Sequence, residues 1–69
     1  MEITANGKIT SLDREMSIKE LLVELNVEMP DYVTVQINDE LIDREDFESL
    51  MVKDSDVIEF LYFMGGGSQ

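Results

Sequence analysis

Ser17-Ile18-Lys19-Glu20-Leu21-Leu22-Val23-Glu24-Leu25-Asn26 is the stretch on which the fold turns. Its first four residues match a capping box. The Ser17 hydroxyl can accept from the Glu20 backbone N–H while the Glu20 carboxylate reaches back to Ser17. Met16 before the cap and Leu21 at the fourth helical position are placed to form a hydrophobic staple. Ile18, Leu21, Leu22 and Leu25 recur at i, i+3, i+4 and i+7, which is one helical face, and Lys19, Glu20 and Glu24 take the outer one. Asn26 reads as the stop, and Pro30 prevents simple continuation. The pattern predicts one short amphipathic helix, whose apolar stripe needs a second layer to cover.

Working outward from the helix, both flanks read as strands. Upstream, Met1, Ile3 and Ala5 alternate with Glu2 and Thr4, the period of a half-buried strand. Asn6-Gly7 follows, a strong hairpin signal because both residues tolerate the positive φ of a type I′ turn. Lys8 to Leu12 is then the returning strand, with Ile9 and Leu12 as its apolar residues. Their spacing does not alternate strictly, so a bulge or an early end is expected. Downstream, Tyr32 to Asn38 alternates with Val33, Val35 and Ile37 on one side. Asn38-Asp39 is a turn and Leu41-Ile42 a short strand. Asp43 to Ser49 reads as an acidic loop with a helical turn, from which Phe47 or Leu50 dips into the core. Asp54-Ser55-Asp56 is another turn, and Val57 to Met64 is the last strand, rich in β-branched and aromatic residues.

The order is hairpin, helix, strand, short strand, final strand. It predicts an α+β fold of β-grasp type, ββαββ, with a mixed sheet packed on one helix. The expected boundaries are a β-grasp domain over residues 1–64 and a flexible Gly-rich tail over residues 65–69.

Composition narrows the chemistry. The chain has 69 residues, enough for one domain with a thin core. It has no Cys and no His, which removes disulfides, thiolate nucleophiles, the usual zinc ligands and the usual general base at neutral pH. Sixteen acidic residues against five basic ones give a net charge of -11. Such a surface repels phosphate backbones and anionic membranes, so neither nucleic acid nor a membrane is an expected partner. A basic protein surface is the complementary one, although acidity also serves solubility alone. The N-terminus lacks a basic region followed by an apolar one. The longest apolar stretch, Val57 to Met64, falls far short of the ~20 residues of a membrane helix. A soluble, cytoplasmic monomer is expected.

Several pieces in this order resemble the ThiS family of sulfur carriers, which have the ubiquitin-like β-grasp fold. They are the Asn6-Gly7-Lys8 turn, the helix start Ser17-Ile18-Lys19-Glu20-Leu21-Leu22 and Val33-Thr34-Val35. Asp54-Ser55-Asp56-Val57-Ile58-Glu59 and the glycines Gly65-Gly66-Gly67 complete the set. The resemblance spans nearly the whole chain. It implies that the protein is not an enzyme but the substrate of enzymes. A ThiF/MoeB-like adenylating enzyme would activate the C-terminal glycine, here Gly67, as an acyl-adenylate. The adenylate would become a thiocarboxylate, which hands sulfur to a biosynthetic enzyme such as thiazole synthase. No cofactor is held permanently; adenylate and thiocarboxylate form transiently. Arg44 matches an arginine common in the family after the short strand. The chain departs from the family at Ser55, where Gly is usual, and at Ser68-Gln69, which follow the terminal glycines. Some related carriers are made as precursors and trimmed by a metallopeptidase, so removal of Ser68-Gln69 is expected, and thiamine is one of several possible pathways.

Other readings of the same residues stay open. Glycines obstruct no narrow enzyme channel, yet Gly-Gly-Gly-Ser is also ordinary linker composition. With Glu59 facing water, strand parity puts Leu61 and Phe63 on the outer face beside the tail, where they suggest a docking patch. A second layer or a twist of the strand end would also account for them. Asp43, Glu45, Asp46 and Glu48 lack calcium-loop spacing and read as a solvated acidic loop. No metal site is expected. The competing function is a non-conjugated β-grasp module that binds a partner without using its tail chemically.

Overall fold

The computed structural model describes residues 1–62. Strand β1 (Glu2–Ala5) and strand β2 (Lys8–Ser11) form the first hairpin, with Ala5 opposite Lys8. Asn6 and Gly7 between them take φ of 50° and 79°, as a type I′ turn requires. The returning strand ends at Ser11, one residue early. Ile9 opposes Thr4 on the outer face and is 71% exposed, whereas Leu12 leaves the ladder and enters the core.

Helix α1 (Ile18–Glu24) follows a two-residue strand, β3 (Met16–Ser17). Both arms of the capping box are present. Glu20 N–H donates to Ser17 Oγ at 3.1 Å, and Ser17 N–H donates to Glu20 Oε1 at 3.0 Å. Ile18, Leu21 and Leu22 are buried, and Met16 joins them in the core. The helix stops where expected, because Asn26 takes a φ of 54°. Its N–H donates to the Val23 carbonyl and the Val27 N–H to the Leu22 carbonyl, which is a Schellman motif.

Strand β4 (Thr34–Ile37) and strand β5 (Glu40–Ile42) make the second hairpin. Its turn residues Asn38 and Asp39 take φ of 50° and 71°. A 3₁₀ turn (Arg44–Asp46) then presents Phe47 to the core, while Leu50 stays exposed. Strand β6 (Met51–Val52) pairs with β3 in a small two-stranded sheet that the periodicity does not announce. Two residues are too few to show alternation.

Strand β7 (Val57–Leu61) completes the main sheet. The order is β2-β1-β7-β4-β5, so the last strand lies at the centre. It runs parallel to β1 and antiparallel to β4. One core sits between this sheet and α1, built from Ile3, Leu21, Leu22, Val35, Ile37 and Ile58 among others. The mixed sheet on one helix is the predicted β-grasp, except that three strands of the main sheet, β4, β5 and β7, follow the helix where ββαββ counts two. The expected boundary after Met64 lies outside the described residues.

Candidate functional site

The tail grows from the C-terminal end of β7, so the features that set this end in place define the site. Between Val57 and Ile58 the strand has ladder partners on both sides, Thr4 and Ala5 on β1 and Ile37 opposite Ile58 on β4. Strand β1 then turns away at Asn6. The Asn6 side chain takes over: its Oδ1 accepts from the Phe60 N–H at 2.8 Å, while its own N–H donates to the Ile58 carbonyl at 2.9 Å. Asn38 repeats the arrangement at the other end. Its Oδ1 accepts from the Val57 N–H at 2.9 Å and its N–H donates to the Val57 carbonyl at 2.8 Å. Both hairpin asparagines therefore serve twice, as positive-φ turn residues and as side-chain partners of β7.

The two sides of β7 differ. Ile58 is buried and Phe60 packs against the core, while Val57, Glu59 and Leu61 point outward. Glu59 Oε1 accepts from Gln36 Nε2 at 3.1 Å, and Leu61 lies opposite Thr34, half-buried. The same outer face carries Ile9, Val57 at 45% exposure and Leu41 at 61%. These exposures mean that no second layer covers this face among the described residues. Leu61 thus lies where parity predicted. Phe63, Gly65, Gly66 and Gly67 lie outside the described residues.

Two further contacts reach this end of the molecule. The Tyr62 hydroxyl donates to the Glu28 carbonyl at 2.6 Å, tying the strand end to the loop after α1. Arg44 donates through Nη1 to the Pro30 carbonyl at 2.9 Å and through Nη2 to the Val33 carbonyl at 2.6 Å. Its guanidinium carbon lies 5.0 Å from the centroid of the Phe47 ring. Arg44 therefore fastens the segment leading into β4, the strand that holds Leu61. Sequence reading missed the Tyr62 contact and the side-chain roles of Asn6 and Asn38. A lone Tyr just before a glycine run was the available signal for the first.

Other charged groups have plain tasks. Asp54 Oδ1 accepts from the Glu2 N–H at 2.8 Å, and Asp56 Oδ2 accepts from the Lys53 N–H at 2.8 Å. The first bond docks the turn against β1, and the second closes the turn on itself. Lys19 and Glu48 form an exposed ion pair at 2.8 Å. The hydrogen bond, then the charge, of Lys19 lowers the Glu48 pKa, and Glu48 raises that of Lys19 in the same way. Among the described residues no group of His, Cys, Asp or Glu is arranged to hold a metal ion, and no helix is long and apolar enough to cross a membrane.

The ThiS family model matches residues 1–67. The chain belongs to the ThiS family, the sulfur carriers of thiamine biosynthesis. The crystal structure of a ThiS thiamine biosynthesis protein from Geobacter metallireducens superimposes with a TM-score of 0.91 at 48% identity, covering 97% of this chain and 100% of that one. An NMR structure of a thiamine biosynthesis protein from the same organism gives 0.77 at 46% identity, covering 100% and 91%. A thiazole synthase of Paramagnetospirillum magneticum is 32% identical over 68 residues. This chain spans only 21% of that protein's length, so the likeness is to a segment of it.

Proposed function

We propose that this chain carries sulfur as a thiocarboxylate on Gly67, for thiamine biosynthesis. In the first step a Gly67 carboxylate oxygen attacks the α-phosphorus of ATP. An acyl O–P bond forms and the bond to pyrophosphate breaks. A sulfide equivalent then attacks the carbonyl carbon and AMP leaves, so one carboxylate oxygen has been exchanged for sulfur. The chain contributes no acid or base to this chemistry. A ThiF/MoeB-like adenylating enzyme supplies it, and the carrier supplies Gly65, Gly66 and Gly67, a segment without side chains for a narrow channel.

The observation that carries this reading is the extent of the family match. It runs through the whole domain to Gly67 and leaves Ser68-Gln69 outside. While Ser68 is attached, the Gly67 carbonyl is an amide and offers ATP no carboxylate oxygen. A peptidase, by resemblance a metallopeptidase, must cut the Gly67–Ser68 bond first. Leu61 and Phe63 form the docking patch beside the tail. Val57 and Leu41 share the outer face with Leu61, and their exposure leaves that face open to a partner. The charge of -11 favours a basic partner surface. A thiazole synthase is the proposed acceptor, because a thiazole synthase contains a segment like this chain within its own length.

The test compares two versions of the chain, ending at Gly67 and at Gln69, incubated with the cognate adenylating enzyme, ATP and a sulfide source. Only the shorter should gain sulfur by mass spectrometry. Adenylation of the longer chain without cleavage defeats the trimming step. Failure of both leaves the non-conjugated binding module as the better account.

A further inference from the structure

Strand β7 ends at Leu61, and the next residue is tied down on the opposite side from the ladder. The Tyr62 side chain turns back toward the helix side, where Phe60, Leu25 and Val27 line an open groove with it. Its hydroxyl donates to the Glu28 carbonyl at 2.6 Å, across 34 residues of sequence. Tyr62 remains 39% exposed, so it is not a core residue whose main task is burial. The receiving loop is itself well held. The Schellman bonds close it at Asn26 and Val27, Met29 accepts from both the Tyr32 and Val33 N–H groups, and Arg44 grips Pro30 and Val33. A hydrogen bond to a stiff acceptor fixes a direction, and a bond to a backbone carbonyl does so whatever side chain Glu28 carries.

We propose that Tyr62 is a positioning residue: its bond to the Glu28 carbonyl fixes the point and direction from which the tail departs. This rests on the proposed loading at Gly67. Gly67 lies five residues beyond Tyr62, an extended reach of about 17 Å. A small swing at the base therefore moves the reacting carboxylate through a large volume. Holding the base still confines the search, so less freedom is lost when the adenylating enzyme draws the tail in. The ladder to Thr34 and the Asn6 bond to Phe60 already hold the preceding residues. Tyr62 is the last described link in that series.

Because the saving is made on association, Tyr62→Phe in the chain ending at Gly67 should raise the carrier's KM for adenylation about three- to tenfold, the usual worth of one hydrogen bond. The kcat should hold, and the thermal midpoint should fall by only a few degrees, with the protein still folded at assay temperature. On the free protein, the same change should lower the backbone order parameters from Leu61 to Met64 by NMR relaxation. An unchanged KM together with unchanged order parameters overturns the proposal. So does a variant that unfolds at assay temperature, which would make Tyr62 a structural residue. If the wild-type chain ending at Gly67 is not loaded at all, the functional reading fails. A fall in the order parameters would then still support the anchor, and their constancy would dismiss it.

Discussion

On the inner face of β7, Ile58 is fully buried and Phe60 packs against the same core. On the outer face, one residue away in either direction, Val57 is 45% exposed and Glu59 meets Gln36 rather than apolar neighbours. Leu61 is half-buried there beside Thr34. The two faces share one backbone and one set of ladder bonds. Alternation lets a single central strand secure the fold with one set of side chains and leave the other set free for contact. The position matters as much as the pattern. An edge strand would frame the tail poorly, whereas the central strand has neighbours on both sides.

The inner face should show the largest effect. Ile58→Ala leaves a cavity and should cost about 2–5 kcal/mol. At roughly 4–8 °C per kcal/mol for a small domain, a thermal melt by circular dichroism resolves this easily. A loss below about 1 kcal/mol would mean that the core does not depend on this face.

Leu61→Ala should divide in the opposite way. We expect a stability loss of about 1 kcal/mol or less but a loss of about 1–3 kcal/mol in binding to the adenylating enzyme, read by calorimetry. Equal binding with a lower melting point would return Leu61 to the core.

The contrast between these faces was legible in the sequence because Glu59, the one charged residue of Val57–Leu61, fixes which side of the strand faces water. The helix was legible too, since Ser17, Glu20 and the Ile18-Leu21-Leu22-Leu25 stripe all agree. The pairing of Met16–Ser17 with Met51–Val52 was not. Neither segment is long enough to carry a pattern, and they lie far apart in the chain. The side-chain roles of Asn6 and Asn38 were hidden for another reason. Turn chemistry explains both residues fully, and only the central placement of β7 brings their amide oxygens to its N–H groups. Tyr62 could be placed by parity, but its acceptor is a backbone carbonyl, which leaves no trace in residue identity.

A smaller effect lies in the turn before β7. Ser55 takes a φ of 74°, between Lys53 and Asp56, whose N–H donates to the Lys53 carbonyl. That conformation suits glycine, which explains why Gly is usual there among carriers of this type. Ser55→Gly should stabilise the fold by about 0.5–1 kcal/mol, the αL relief less the added freedom of the unfolded chain. Destabilisation in a denaturant titration would show that the Ser55 hydroxyl matters more than its backbone angle.

The smallest effect belongs to the Lys19–Glu48 pair, which is exposed on both sides. Glu48 is lowered from 4.5, so its contribution is present above that value and fades as pH falls through the lower folded value. Lys19 is raised from 10.5, so its contribution is present below that value and fades as pH rises through the higher folded one. Lys19→Ala should therefore change stability slightly at neutral pH and low salt, and not at all in high salt. A salt-independent loss would point to packing of the Lys19 stem instead.

Sulfur carriage as proposed needs a body held by the inner face of β7 and a reactive carboxylate at Gly67. The most direct test is the intact mass of the protein purified from its own cells. We expect a species ending at Gly67, with a fraction in which one oxygen has been replaced by sulfur. A native population that keeps Ser68 throughout and never carries sulfur would contradict the account.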